Sequence, residues 1–458
     1  MAAADWRTEL DANADAHTQE FFELLRIPSV STDLTHAGDV KAAAQWVAAR
    51  LTRAGVPTVT IAESPGHPAV IGRWDVDPAQ PTLLIYGHYD VQPESPVELW
   101  DTPPFEPTVR DGIVFGRGSS DMKGNLLTAI QGVEAVATAN GGKPPINVAF
   151  IFEGEEEIGS PSLVGIIHEH KDLLAADAVA SADGGQYDET TPALTVALKG
   201  LAGMQVNLRT ANSDLHSGGY GASVPNAVQA MVQLAATLHD AEGHVLVEGF
   251  YDRVKDLTEA DKAEIAASPF DEADFKASLS LNELWGEEGY TVRERIWGRP
   301  TLDMNGIWGG YQGDGVKTVT PNEAHLKITC RLVPDQDPAE IVSLIRAHVE
   351  KHAPAGATVE VVPAKGGAAP YVVDRSADLY QAATKVLTDL YGKNPILVRS
   401  GGTIPATAIF KDELGADTIT FAWSMPDSRA HAPNEWYRLD DFTRGRTAYA
   451  LLIEELAR

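Results

Sequence analysis

His88 and Asp90 in "LLIYGHYDVQP" (83–93) stand one residue apart at the exit of an apolar stretch. In a β-strand, residues i and i+2 face the same side. An imidazole and a carboxylate can therefore aim at one point beyond the strand's end. Alone, such a pair is an ordinary polar strand exit. The pattern recurs, however. Asp121 lies in "GRGSSDMKGN" (116–125), ahead of a helical stretch, and Glu155, Glu156 and Glu157 come just after the apolar "INVAFIF". Asp183 follows "ADAVASA", and His431 sits in "SRAHAPNEW" (428–436). Asp121 could be a simple helix cap, and the glutamates a solvated acidic turn. But three like charges at one strand mouth repel unless a cation offsets them. Imidazoles with carboxylates suit Zn²⁺ or Mn²⁺. There are too many candidates for one tetrahedral ion. They suit two ions sharing a carboxylate, roughly 3.5–4 Å apart. On this reading His88 is a ligand, and Asp90 stands behind it to fix the ring's tautomer and orientation.

The elements that must position these residues follow from periodicity. Residues 5–26 and 38–54 read as amphipathic helices. "PTVTIAE", "AVIGRWD" and "TLLIYGH" read as strands, the last fully buried, and "NLLTAIQGVEAVATA" as a helix. "INVAFIFEGEEE" and "ADAVASADGG" are apolar strands ending in acid. This alternation predicts an α/β layer with a mostly parallel sheet, whose carboxyl ends line the ligand crevice. Near residue 193 the texture changes. "ALTVALKGLAGMQVNLRTA" and "AHLKITCRLVP" alternate as half-exposed strands, and "PNAVQAMVQLAATLHD" and "PAEIVSLIRAHVEKH" read as helices. An α+β sandwich is expected at 194–370, inserted into a discontinuous catalytic domain of residues 1–193 and 371–458.

Bulk composition narrows the partners. The 458 residues are 44% hydrophobic and 22% charged, enough for two packed domains. Lys and Arg number 36 against 65 Asp and Glu, net −29, which argues against nucleic acid or an anionic membrane as the main partner. One cysteine, Cys330, rules out an internal disulfide and a thiolate metal site, and reads as packing filler. No signal-like start or long apolar run is seen, so a cytoplasmic location is expected.

Taken in order, "GHYDVQP", "GRGSSDMKGN", "EGEEEIGS", "DLHSGGYGA", "KTVTPNEAHLKITCRLVPDQDP", "RSGGTIPAT" and "HAPNEW" resemble the co-catalytic metallopeptidases. That group includes carnosinase-like dipeptidases, aminoacylases, succinyl-diaminopimelate desuccinylase and carboxypeptidase G. The resemblance spans nearly the whole chain and is strongest to the carnosinase and cytosolic non-specific dipeptidase branch. It implies that Asp121 bridges two divalent ions, Zn²⁺ first and Mn²⁺ or Co²⁺ as alternatives. His88 and Asp183 complete one site, Glu157 and His431 the other. It further implies Glu156 as general base and a cis peptide at Asp121–Met122. His216 would stabilise the oxyanion from the partner subunit of a homodimer formed through the inserted domain. Arg331 and Thr318 would hold a substrate carboxylate, and Gly402 and Thr403 would line the pocket. Ser119-Ser120 and Asn305 depart from the family pattern and bear on substrate preference.

The implied activity is hydrolysis of dipeptides. An N-acyl-amino-acid deacylase would use the same metals and base. A non-catalytic scaffold would lack a ligand or base, and none is missing. A two-metal phosphoesterase fits the ligands but not the acidic balance. Other readings stay plain. Arg331 fits a solvated strand arginine equally well, and His216 could sit in a simple glycine turn. The tryptophans of 285–308 read as packing. His17, His36, His67, His168, His170, His239, His244, His325 and His352 read as surface or helix-face residues.

Overall fold

A computed structural model of the chain describes residues 5–364, 367–402 and 404–458. It separates into two compact units, Met1–Val196 with Val373–Leu397 and Ala406–Arg458, and Ala197–Val372 with Val398–Pro405.

The first unit is built on a six-stranded sheet. Its order is Thr58–Ala62, Ala69–Trp74, Asn147–Glu153, Thr82–His88, Ala178–Ser181, Asp417–Thr420. The last four run parallel and the first two add antiparallel pairs at one edge. Thr82–His88 and Asn147–Glu153 are buried at every position, as strands covered on both faces must be. Because neighbours run parallel, His88 and Glu153 pair in register, and the loops after them leave from the same edge. The helix Gly124–Ala139 is buried along nearly its whole length and packs against Leu439–Leu456. The two approach so closely at Gly132 that a Cβ there would lie 2.6 Å from the Arg446 carbonyl.

The helix expected over 5–26 is broken at Asn13 into Trp6–Ala12 and Ala14–Leu25. His17 lies on the face of the helix Ala14–Leu25, but it and the loop residue His67 are buried rather than on the surface. Each is held by polar partners: His17 by the Arg446 guanidinium at 3.1 Å, His67 by the Ser31 carbonyl at 3.1 Å and, through its backbone N–H, the Glu155 carboxylate.

The second unit has a four-stranded antiparallel sheet ordered Thr301–Gly309, Glu323–Leu332, Gly200–Arg209, Thr358–Pro363. The two central strands alternate buried and partly exposed positions. Their inner residues, including Met204, Val206, Ile328 and Cys330, pack with Met231 and Leu234 of one helix and Ile341 and Ile345 of another. Three further helices, Glu259–Ala267, Glu272–Ser278 and Val292–Gly298, have no counterpart in the periodicity reading. Of the tryptophans in that region, Trp297 is buried but Trp285 is 71% exposed, so packing accounts for only part of the cluster. No helix among the described residues is long and apolar enough to cross a membrane.

Candidate metal centre

His88 ends its strand with a fully buried side chain. Its backbone N–H donates to Met122 Sδ at 3.2 Å. Nδ1 lies 3.0 Å from the carbonyl of Asp90 and 3.4 Å from its carboxylate. The carbonyl is thus the nearer acceptor, and it leaves Nε2 facing outward. Asp90 is wholly buried, and its carboxylate accepts the backbone N–H of Glu156 at 3.3 Å and of Glu157 at 3.1 Å. It therefore fixes the ring on one side and the acidic turn on the other.

Asp121 follows Gly118, whose φ of 81° and lack of a side chain let the chain pass Val91. The Asp121–Met122 peptide is cis. The two oxygens of Asp121 diverge: Oδ1 lies 3.2 Å from His88 Nε2 and Oδ2 lies 2.9 Å from His431 Nε2. His431 also reaches Glu157 Oε2 at 3.1 Å. It sits in a loop where Arg429, His431 and Asn434 all have positive φ, near 60°. Non-glycine residues rarely adopt that conformation, and they do so where surrounding structure holds them.

The potential ligand atoms of His88, Asp121 and Glu157 lie within 4.8 Å of one another, as do those of His88, Glu156 and Asp183. Glu156, read from sequence as a base, thus stands close enough to be a ligand neighbour. Glu157 Oε1 is buried with no hydrogen-bond partner, and buried His88 Nε2 makes no well-aligned hydrogen bond although Asp121 Oδ1 lies 3.2 Å away. Orphaned atoms of this kind, within a set of imidazoles and carboxylates, fit hard or borderline divalent cations.

The electrostatics point the same way. Burial, then the charges of Asp183, Glu157 and Asp121, push the Glu156 carboxyl up to about 9 although His88 opposes this. Burial and Asp121 push Asp183 up to about 7. Hydrogen bonds to Asp121 and Glu157 raise His431 to about 10. Burial works against protonation of His88, yet Asp121 and Asp90 raise it well above its ordinary value. Excess negative charge here draws in protons, as it would draw in a cation.

The sequence reading missed two residues. Glu435, fully buried, accepts from Arg117 Nη1 at 2.7 Å and Gly118 N–H at 2.9 Å through one oxygen. Its other oxygen accepts Ser120 N–H at 2.9 Å, Ser120 Oγ–H at 3.1 Å and Asp121 N–H at 3.0 Å. It holds the turn that aims Asp121. Gln92 donates to Glu157 Oε2 at 2.8 Å. Gln92 lies in "GHYDVQP", where it continues the 88–90–92 alternation, and Glu435 lies in "HAPNEW".

The other expected site residues lie in the second unit. Leu215–His216 pairs with Val319–Thr320, which sets His216 beside Thr318, and the Ser217 N–H donates to the Thr318 carbonyl at 3.1 Å. His216 is exposed, and its Nδ1 accepts Gly218 N–H at 3.0 Å. Arg331 is half-buried on Glu323–Leu332, and Gly402 is exposed. Thr403 lies outside the described residues.

The profile of peptidase family M20/M25/M40 matches residues 84–455. The Cys-Gly metallodipeptidase dug1 of Schizosaccharomyces pombe is 30% identical over 469 residues, covering 98% of this chain and 97% of that protein. Among solved structures, the M20 family metallo-carboxypeptidase Sso-CP2 from Sulfolobus solfataricus aligns with a TM-score of 0.84 at 30% identity, over 96% of this chain and 99% of that one. Human carnosine dipeptidase 1 aligns with a TM-score of 0.80 at 26% identity, over 99% of this chain and 98% of that one. The chain is a metallopeptidase of family M20/M25/M40.

Proposed function

We propose that this chain is a di-metal dipeptidase that hydrolyses the peptide bond of dipeptides. One observation carries the reading: the oxygens of Asp121 reach separate imidazoles, 3.2 Å to His88 and 2.9 Å to His431. A carboxylate so divided can serve two ions. In this assignment His88 and Asp183 complete one shell, and Glu157 and His431 the other. The donor set suits Zn²⁺ and accepts Mn²⁺ or Co²⁺.

Such ions would polarise a scissile carbonyl and bring the pKa of a nearby water towards about 7. Glu156 takes the proton of the attacking water and passes it to the leaving amine. Asp90 holds His88 Nδ1 and leaves Nε2 facing the cluster, where it could ligate an ion. The bond from Gly218 N–H to His216 Nδ1 places the ring proton on Nε2, where it can donate to an oxyanion. In a homodimer His216 would do so for the partner subunit's site. Arg331 and Thr318 would bind the substrate's terminal carboxylate, with Gly402 and Thr403 lining the pocket. The guanidinium fork matches a carboxylate. The relatives named for Cys-Gly and carnosine support the substrate class.

The test is one assay on metal-stripped protein, reloaded with Zn²⁺ or Mn²⁺ and given dipeptides beside their N-acetylated twins. Metal-restored cleavage of the free dipeptides is the expected result. Cleavage of the acetylated twins alone would make the protein a deacylase and refute the proposal.

A further inference from the structure

Residues 398–405 belong to the second unit, although the chain on both sides of them belongs to the first. Their attachment is specific. Arg399, near the end of the strand Ile396–Ser400, pairs through Nη2 with Asp261 and, at 3.3 Å, with Glu264 of the helix Glu259–Ala267. The Arg399 side chain is only 16% exposed, so solvent screens these pairs weakly. Asp261 is itself pre-set, because its carboxylate accepts Thr258 N–H at 3.0 Å and Thr258 Oγ–H at 2.6 Å in a capping box.

The next residues are held from other directions. The Ser400 carbonyl accepts Lys199 N–H at 3.2 Å. Lys199 Nζ donates to the carbonyls of Arg295 at 3.2 Å and Arg299 at 2.5 Å, at the end of the helix Val292–Gly298. A Cβ on Gly401 would lie 3.3 Å from the carbonyl of Ile296 in that helix. Gly402 N–H donates to Ser400 Oγ at 3.0 Å. A Gly-Gly pair is costly to order, and here the ordering contacts are supplied by helices more than a hundred residues earlier in the chain.

We propose that Arg399 is a positioning residue for substrate: by pairing with Asp261 and Glu264 it fixes the Ser400–Gly402 turn, and with it the pocket wall that Gly402 forms. The inference rests on the dipeptidase reading, which gives Gly402 its place in the pocket. It assigns the helices 259–298 a task that packing alone does not. Both pairs run through one nitrogen, Nη2, and a lysine ammonium can supply the charge but ends a shorter stem and is more strongly hydrated. Lysine should therefore restore the anchor only in part.

The experiment uses the metal-loaded full chain with Arg399→Met, Arg399→Lys and the double variant Asp261→Asn, Glu264→Gln. Steady-state dipeptide hydrolysis is measured beside amide hydrogen exchange of residues 398–402. For Arg399→Met, KM should rise about tenfold with kcat nearly unchanged, as expected when ground-state and transition-state binding fall together. Exchange at Ser400–Gly402 should speed up by at least about tenfold, reporting a looser turn. Arg399→Lys should fall between, and the double variant should match Arg399→Met. Unchanged exchange refutes the anchor, and faster exchange with unchanged KM refutes its role in the pocket. A wild-type protein that cleaves no dipeptide refutes the dipeptidase reading and the KM arm with it, while the exchange arm still decides the anchor.

Discussion

Replacing Glu435 by glutamine probes the centre without touching a proposed ligand. The carboxylate is fully buried and its two oxygens divide the work: Arg117 Nη1 and Gly118 N–H on one, Ser120 N–H, Ser120 Oγ–H and Asp121 N–H on the other. Glutamine keeps one acceptor and puts an NH₂ where the other stood. Either the Arg117 side or the Asp121 side then faces a donor. Breaking a buried ion pair costs about 3–5 kcal/mol, because the Arg117 charge is left uncompensated. Orphaning buried N–H groups on the other side costs about 1–3 kcal/mol each. Either route gives a loss of about 3–5 kcal/mol, a large share of a typical stability of about 5–15 kcal/mol. Where the NH₂ faces the Asp121 side, Asp121 loses a hydrogen bond that aims it, and loss of such outer partners weakens metal binding about 10–100-fold. Urea unfolding of the metal-free protein reads the first effect, and titration with Zn²⁺ against a competing chelator the second. Ser120→Ala removes only the hydroxyl bond at 3.1 Å and should cost about 1 kcal/mol, so it tests the same network in a variant that folds. A Glu435→Gln protein with wild-type stability and wild-type Zn²⁺ affinity would refute the reasoning.

Glu156→Gln should lower kcat by about 10²–10⁴ while inductively coupled plasma analysis finds the same metal content; full activity would remove Glu156 as base. His17 is held down to about 4 by burial and by Arg446, partly opposed by Glu20, so it is neutral in the fold at pH 7. Below about pH 6.5 the unfolded chain binds a proton that the fold refuses, so stability falls as pH drops from about 6.5 towards 4. From this group the loss between pH 7.5 and pH 5 is about 2 kcal/mol, visible in urea melts as the part of the pH dependence that His17→Gln abolishes. Gly132→Ala would push a methyl to 2.6 Å from the Arg446 carbonyl and 2.7 Å from Tyr449 Cβ, costing about 1–3 kcal/mol. Gly38→Ala, on a helix with nothing within 4 Å, should instead be neutral or stabilising by under about 1 kcal/mol in the same melts.

The strand-end residues were legible because two simple signals coincide at them. A long apolar run marks a buried parallel strand, and the first polar residue after it marks the sheet edge. His88 follows from that rule directly, whereas the glutamate turn and Asp183 lie two to four residues past the strand ends at Glu153 and Ser181. What each glutamate does could not be read from a run of three. Glu155 turns out to be structural, buried at 3% exposure and accepting His67 N–H and Ser162 N–H. The backbones of Glu156 and Glu157 are set by Asp90, a contact across 66 and 67 residues. Glu435 was hidden for a similar reason: its five donors lie more than 300 residues away. The helices 259–298 lack a strong apolar stripe, and only one residue of Glu259–Ala267, Ile265, is buried. Their caps were nevertheless written in the chain, since Thr258 with Asp261 and Thr291 with Glu294 are capping-box spacings.

Why the first unit tolerates so many acids at one sheet edge follows from where its cations point. Arg117 and Lys123 flank Asp121 in sequence and could have neutralised it. Arg117 instead turns to Glu435 at 2.7 Å. The Lys123 ammonium donates to the carbonyls of Leu24 at 3.1 Å and Ile27 at 2.7 Å. Among the described residues, the ion-pair partners of Asp121, Glu156 and Glu157 are imidazoles, and no Lys or Arg reaches them. An imidazole can neutralise a carboxylate only by binding a proton, and it ligates a metal only without one. Protons and divalent cations therefore compete for the same cluster, and either satisfies its charge. Had Arg117 reached Asp121, a permanent charge would have closed the site to metal, whereas burial holds Lys123 down to about 7 and leaves it only partly charged near neutral pH. Aiming both away, one onto a buried carboxylate and one onto bare carbonyls, keeps the Asp121 turn rigid and its oxygens free.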